Sequence, residues 1–305
     1  MGTYTKHAIC RVSTTIALLS AALLLSGCNQ PLEVVPLPNP VFDLASQQRL
    51  RQMELVNLDE VLQHKGLDSD SPNSLTVNPY APQTWMPFSE CWDDPHCHYS
   101  ITETGIPVQA FPGSQSVFEW WQGRLTDAEQ APVCAVRFLQ ENHYELSTFE
   151  NRWALAAQPE FQLTHYQACG ACSTLQDLAV YGTLDLTVMA KTCSKRMGFD
   201  ARKACMKQIG FSEACAESWA YNAGKTSQSC LLVCVQEYGL LPLLTGTESS
   251  PNNTDGVLNR CLQCDEMMSG PGFQYSAGRT RRNSGIESEI DRPDDQVYEV
   301  SHDYF

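Results

Sequence analysis

EFQLTHYQACGACSTLQDLAVYG, residues 160–182, changes in its middle from a strand pattern to a helix pattern. Its first seven residues are typical of a β-strand that ends just before Cys169. Ser173 then supplies a side-chain oxygen for a helix N-terminus, and the helix is expected to end near Tyr181 and Gly182. With strands before this stretch and helices after it, the sequence predicts an α+β fold.

The residues before this stretch predict a small β-containing part of the domain. Two β-rich runs, APVCAVRFL (131–139) and HYELSTF (143–149), are separated by Glu141 and Asn142, which favour a hairpin turn. The run ENRWALAA (150–157) is typical of one or two helical turns.

Nearer the N-terminus, Asp43 can cap one packing helix over about 44–64. Residues 67–115 carry many prolines and little periodicity, so irregular structure is expected there. Because the loop between Cys91 and Cys97 is short, these two cysteines are a favoured disulfide pair.

Short helices with capping residues are expected after Cys172. Five of the six begin at a residue whose side chain can accept hydrogen bonds from free N–H groups, and glycines that tolerate left-handed backbone end most of them. Helices this short are marginal alone, so disulfides are expected to cross-link them into an array. The predicted helices run from Ser173 to Gly182, Asp185 to Gly198, Asp200 to Gly210, Ser212 to Gly224, Thr226 to Gly239 and Val257 to Met268.

The tail has a different character from the helices. Arg279, Arg281 and Arg282 form a basic cluster, and an acidic stretch follows from Glu287 to Asp303. We expect a solvated or self-paired extension across the surface, and a docking site for an anionic partner is the alternative. The predicted organisation is therefore a signal peptide (1–27), a lipidated cysteine with a Pro-rich tether (28–42), a helix plus β-containing region (43–168), a Cys-rich helical region (169–269) and a C-terminal extension (270–305).

The N-terminus has the pattern of an export signal. Lys6 and Arg11 form a positive region before an apolar run, Val12 to Leu25, that is too short to cross about 30 Å of hydrocarbon but suits a signal peptide. Leu25-Ser26-Gly27-Cys28 resembles the lipobox of bacterial lipoproteins. The resemblance implies cleavage before Cys28 and acyl chains, palmitate among them, on its thiol. An ordinary cleaved signal peptide is the alternative.

The residues after Cys28 bear on where the protein is held. The resemblance implies the outer rather than the inner membrane, because Asn29 stands where an Asp would retain an enteric lipoprotein. NQPLEVVPLPNPV (29–41) holds four prolines, and proline-rich chain extends as polyproline II at about 3.1 Å per residue. We therefore expect a tether that holds the domain tens of ångströms off the membrane.

Cysteine is unusually frequent, with 14 residues. Cleavage removes Cys10 and acylation uses Cys28, which leaves 12 cysteines in an oxidising compartment and predicts up to six disulfides. The candidates are Cys91, Cys97, Cys134, Cys169, Cys172, Cys193, Cys205, Cys215, Cys230, Cys234, Cys261 and Cys264.

Cys169-Gly170-Ala171-Cys172 follows a predicted strand and opens a predicted helix, where free N–H groups can stabilise a thiolate. The spacing resembles the thioredoxin active site, but Ala168 replaces the aromatic residue of that motif. We favour structural disulfides, with a redox dithiol or a metal site as alternatives.

The cysteine pairs Cys261/Cys264 and Cys230/Cys234 have helical spacing, so each pair shares a helix face. We expect Cys261 and Cys264 to bond to different helices. His96 and His98 beside Cys97 could capture copper or zinc, although a stapled loop with solvated imidazoles is favoured.

Charge and motifs limit the possible functions. Asp and Glu total 35 against 20 Lys and Arg, a net charge of -15 that argues against a nucleic-acid binder. No Walker loop, G-x-G-x-x-G, G-x-S-x-G or H-E-x-x-H occurs, and we expect no cofactor and no resident metal.

The segments LTHYQACGACSTLQDLAVY (163–181) and AGRTRRNSGI (277–286) resemble an uncharacterised group of exported cysteine-rich proteins from marine microbes. The resemblance implies a shared fold and export, and it implies no activity. We therefore expect a lipid-anchored envelope or surface protein with a binding or structural role and an unknown envelope or extracellular partner. The alternative is a periplasmic thiol–disulfide oxidoreductase that uses Cys169 and Cys172.

Overall fold

The computed structural model confirms the α+β class, with a small sheet followed by disulfide-linked helices. It describes residues 32–67, 74–80, 99–101, 107–109, 131–140, 142–245, 248, 258–287, 290 and 297–305. The segment that resembles a lipobox, the favoured Cys91–Cys97 pair and the His96–His98 cluster lie outside the described residues. None of the described helices is both long and apolar enough to cross a membrane.

The strands form two sheets. They are β1 (Glu54–Leu55), β2 (Tyr99–Ile101), β3 (Pro107–Gln109), β4 (Val133–Phe138), β5 (His143–Phe149) and β6 (Gln162–Tyr166). The main sheet has the order β1-β5-β4-β6, and β2 pairs with β3 alone. β1 is parallel to β5, whereas the β4–β5 and β4–β6 pairs are antiparallel. The predicted hairpin between β4 and β5 is confirmed, and Asn142 adopts the left-handed φ of 63° that asparagine tolerates.

Helices make up most of the described chain after β6. The described α-helices, three of which precede β6, are α1 (Leu44–Gln52), α2 (Leu58–His64), α3 (Arg152–Ala156), α4 (Leu175–Tyr181), α5 (Leu186–Ser194), α6 (Phe199–Gln208), α7 (Glu213–Tyr238), α8 (Leu240–Thr245), α9 (Arg260–Met268) and α10 (Gly270–Ala277). The predicted caps at Asp43 and Asp185 are confirmed, because their carboxylates accept hydrogen bonds from the first-turn N–H groups of α1 and α5.

The prediction of one helix over 44–64 is wrong, because β1 interrupts it. Asn57, which follows β1, is hydrogen-bonded to β5. Its Nδ2 donates to the Leu146 carbonyl oxygen at 2.9 Å, and its Oδ1 accepts from the Leu146 N–H at 3.0 Å. Pairing with a distant strand thus overrides the local helix preference.

The prediction of separate helices ending at Gly224 and beginning at Thr226 is also wrong. A single helix of 26 residues, α7, runs through both positions. A helix-interior glycine costs only about 1 kcal/mol relative to alanine. Disulfides from Cys215 in the first half of α7 and from Cys230 and Cys234 in the second half tie the helix to its neighbours.

The prediction of a surface extension over 270–305 is wrong for the segment that contains Arg279. Arg279 is 0% exposed, and it directly follows α10 and Gly278. Further along, the Tyr298 ring stacks on Tyr166 of β6 with centroids 4.4 Å apart. The tail therefore completes the core beside the sheet.

The proline-rich segment is docked from Val35 onward, which shortens the predicted tether. The Leu37 N–H donates to the Thr183 carbonyl oxygen at 2.9 Å, and the Val35 carbonyl oxygen accepts from the Asp185 N–H at 2.9 Å. Pro36 and Leu184 form the bridge between these two bonds. Backbone pairing with the loop before α5 thus overrides the free polyproline chain expected from composition.

Candidate functional site

Five disulfides join all ten cysteines that the structure describes. They are Cys134–Cys169, Cys172–Cys215, Cys193–Cys205, Cys230–Cys264 and Cys234–Cys261. They connect the sheet to the loop before α4, that loop to α7, α5 to α6, and α7 to α9. The disulfides therefore fix the helical region around α7.

The two cysteines of the CGAC motif do not bond to each other. Cys169 bonds to Cys134 on β4, and Cys172 bonds to Cys215 on α7. Both are buried, and the end of α10 closes over the motif, since the Cys172 N–H donates to the Ala277 carbonyl oxygen at 2.8 Å. A redox dithiol needs exposure and a paired partner thiol, so this geometry gives no support to the oxidoreductase alternative.

Cys261 and Cys264 bond to the same helix, so the prediction of two different partner helices is wrong. Both reach α7, where Cys230 and Cys234 are four residues apart. Residues three or four apart share a helix face, so two facing helices can be joined by two disulfides.

Arg279 is the best-connected buried side chain beside the CGAC motif. Its Nε donates to the Cys172 carbonyl oxygen at 3.1 Å, and its Nη2 donates to the Ser173 carbonyl oxygen at 3.2 Å and the Thr164 hydroxyl at 2.6 Å. Its Nη1 donates to the Thr164 carbonyl oxygen at 3.1 Å and the Ser284 hydroxyl at 3.2 Å. All five N–H groups of the guanidinium are thereby used, which makes its role structural.

A serine–histidine pair lies beside this guanidinium. The His165 Nδ1 must carry the proton, because it lies 2.7 Å from the Tyr166 carbonyl oxygen, which can only accept. The Ser173 hydroxyl can therefore donate to the His165 Nε2 at 2.7 Å. Burial and the charge of Arg279 hold the pKa of His165 well below its usual range. The pair has the geometry of a nucleophile and its base, but both residues are completely buried and a substrate cannot reach them.

The accessible candidate site is a cavity of about 1450 Å³ between α5, α7, α9, α10 and the C-terminal segment. We call it the α7 cavity. Ligand pockets commonly have volumes of roughly 300–1,000 Å³, so it has room for an elongated small molecule. Its described apolar lining includes Leu186, Ala190, Ala223, Leu231, Val235 and Phe273.

Helical periodicity explains how α5 and α7 build this lining. Thr187, Ala190, Lys191 and Ser194 of α5 occupy positions i, i+3, i+4 and i+7 of one helix face and line the cavity. On α7, cavity-lining residues recur in the same way from Trp219 to Tyr238. Two disulfides join α7 to α9, so these two walls of the α7 cavity are held together by covalent bonds.

Polar groups occur on different walls of the α7 cavity. Between α7 and α9, the Thr226 hydroxyl contacts the Asp265 carboxylate, and the Ser269 hydroxyl donates to it at 2.6 Å. Burial raises the pKa of Asp265. On the α5 wall, the Lys191 ammonium lies 3.6 Å from the Glu248 carboxylate. The lining of the α7 cavity thus combines polar and charged groups with a mainly apolar surface, which suits an amphipathic ligand.

Sequence reasoning identified the cysteines but missed the α7 cavity. Division of α7 at Gly224 hid the continuous stripe from Trp219 to Tyr238 that would have revealed it. The basic cluster of the tail does contribute to the lining through Arg281 and Arg282, and the Arg281 Nη2 donates to the Thr187 hydroxyl at 2.8 Å. Among the described residues, no cluster of His, Cys, Asp and Glu is arranged to hold a metal ion.

Residues 190–300 match the model of a family of unknown function (DUF8771). The match includes α6, α7, α9 and α10, and so most of the helices around the α7 cavity. No curated protein and no solved structure matches the chain.

Proposed function

We propose that this is an exported, lipid-anchored protein of the cell envelope or cell surface that binds a small amphipathic molecule in the α7 cavity. Acylated Cys28 would provide the anchor, and the outer membrane is the expected site. The disulfide-rich domain would provide a rigid binding site. The observation that carries the binding role is the α7 cavity itself.

Two features support export. Every described cysteine is in a disulfide, and such bonds form and persist in oxidising compartments outside the cytosol. The signal-like run followed by Leu25-Ser26-Gly27-Cys28 supports a route through the lipoprotein pathway.

The shape of the α7 cavity supports a binding role. A rigid, largely apolar cavity lowers the entropy cost of binding, because its walls need little ordering when the ligand enters. The carboxylate of Asp265 and the ammonium of Lys191 offer contacts for a polar group on the same ligand.

A titration with the amphipathic dye 1-anilinonaphthalene-8-sulfonate tests this proposal on the oxidised chain from Cys28 to Phe305. We expect saturable binding of one dye molecule per chain. The Ala190→Phe variant, which adds a ring to the cavity lining, should weaken binding at least about tenfold, a difference of 1.4 kcal/mol. The matched control is Ala201→Phe, at an exposed alanine of α6 outside the lining.

The melting temperature of each variant shows that it is folded. Equal dye affinity in the wild type and in Ala190→Phe would contradict the proposal, as would the absence of saturable binding in the wild type.

A further inference from the structure

The segment from Val35 to Phe42 is fixed to the domain. Besides the pairing around Pro36, the Val41 N–H donates to the Gly182 carbonyl oxygen at 2.8 Å. The Phe42 ring packs so closely on Gly182 that a Cβ atom there would lie 2.5 Å from it. The part of the chain free to act as a tether therefore ends before Val35.

The remaining tether is short compared with the domain. Seven residue steps separate Cys28 from Val35, and a fully extended chain covers at most about 25 Å in seven steps. For comparison, α7 alone is about 39 Å long at 1.5 Å per residue. A domain of this size, held by so short a tether, cannot turn an arbitrary side toward the membrane.

Exposed apolar side chains occur along the docked segment and the part of α5 beside it. Val34 is 43% exposed, Val41 46%, Leu44 75% and Val188 40%. Each lies within two residues of a contact between the docked segment and the segment from Gly182 to Met189. Val188, for example, precedes Met189, whose Sδ accepts from the Val35 N–H at 3.5 Å.

We propose that these four residues, Val34, Val41, Leu44 and Val188, form an anchor face that lies against the lipid bilayer. The inference rests on the proposed acylation of Cys28, which would place that residue at the membrane surface. The chain carries a net charge of -15, so long-range attraction of the domain to anionic headgroups does not favour the contact. Acyl insertion and apolar contact drive it, and it is therefore insensitive to salt.

Site-specific photo-crosslinking tests the anchor face. Full-length acylated protein is reconstituted in phosphatidylcholine–phosphatidylethanolamine vesicles, with benzoylphenylalanine at position 188 or, as the control, at position 153. Trp153 is 74% exposed and lies on α3, which packs on β4 and β5. We expect at least about fivefold more lipid adduct from position 188 than from position 153, at both low and high salt.

A second variant carries 20 Gly and Ser residues inserted after Gln30, which removes the restraint of the short tether. We expect the yield of lipid adduct from position 188 to fall to the yield from position 153. A preference for position 188 that the insertion leaves unchanged would overturn the inference.

The outcomes separate this inference from the proposed function. Equal adduct yields in an acylated, vesicle-bound wild type would overturn the anchor face and leave the lipid anchor standing. An unmodified Cys28, detected by mass spectrometry together with failure to float with vesicles, would overturn both.

Discussion

Arg279 donates two hydrogen bonds to Thr164, one to its carbonyl oxygen at 3.1 Å and one to its hydroxyl at 2.6 Å, across 115 positions of sequence. Thr164 lies on β6, whereas Arg279 follows α10. The same guanidinium binds the carbonyl oxygens of Cys172 and Ser173. The C-terminal segment, the sheet and the CGAC motif are thus joined at one buried side chain.

Removal of this side chain should destabilise the domain strongly. In Arg279→Met, several buried acceptors lose their donors, at about 1–3 kcal/mol each. We expect the free energy of unfolding in urea to fall by at least about 3 kcal/mol. The control Arg260→Met alters an exposed arginine at the start of α9. It should change the free energy of unfolding by less than about 0.5 kcal/mol. A loss below about 1 kcal/mol in Arg279→Met would contradict the role assigned to Arg279.

Acid should weaken the domain through His302. Burial, and then the charge of Arg279, lower the pKa of His302 from 6.5 to about 4. Between these two pH values the unfolded chain binds a proton at His302 that the folded chain does not. Stability contributed by neutral His302 is therefore lost as the pH falls from about 6.5 to 4, by about 3 kcal/mol at most.

The comparison with His302→Gln isolates this contribution, because other groups also titrate in the same range. Burial raises the pKa of Asp177 to about 6, so the folded state gains protons there on acidification and Asp177 acts in the opposite direction. Unfolding in urea at pH 7 and pH 4.5 measures the difference. We expect the variant to lose less stability than the wild type, and identical losses would refute the assignment.

Local signals in the sequence were sufficient for elements whose ends depend on their own side chains. Asp43 and Asp185 cap their helices as predicted, and Asn142 forms the hairpin turn. Other element boundaries depend on contacts between residues that are far apart in the sequence. Asn57 binds a strand 89 positions away, so β1 could not be predicted from local pattern.

The candidate site was less predictable than the fold for the same reason. The sequence identifies the cysteines but not their partners, because many pairings satisfy the same spacing. Cys172 thus bonds to Cys215 across 43 positions rather than to Cys169. Burial of Arg279 requires acceptors from three separate segments, and no property of the basic cluster itself indicates it.

The disulfides should differ in the stability that they provide. Cys172–Cys215 closes a separation of 43 residues, and Cys193–Cys205 closes one of 12. Chain entropy gives about 4 kcal/mol for the longer loop and about 3 kcal/mol for the shorter one. We expect the double alanine variant of Cys172 and Cys215 to be less stable in urea than the double alanine variant of Cys193 and Cys205. A greater loss in the double alanine variant of Cys193 and Cys205 would contradict this order.

The CGAC motif should be catalytically inactive. Cys169 and Cys172 are buried and bonded to separate partners, so neither is available to attack a substrate disulfide. We expect no reduction of insulin by the wild type and a lower melting temperature in the Cys169→Ser/Cys172→Ser variant. Wild-type turnover that vanishes in this variant while the melting temperature is unchanged would revive the oxidoreductase interpretation.

Mass spectrometry of the native protein, isolated from membranes and digested without reduction, tests the central claim most directly. We expect an N-terminal peptide that begins at Cys28 and carries acyl chains, together with cystine-linked peptides that account for the five cysteine pairs the structure describes. An unmodified Cys28, or several free thiols among the ten cysteines of those pairs, would contradict the account of an exported, lipid-anchored, disulfide-stabilised domain.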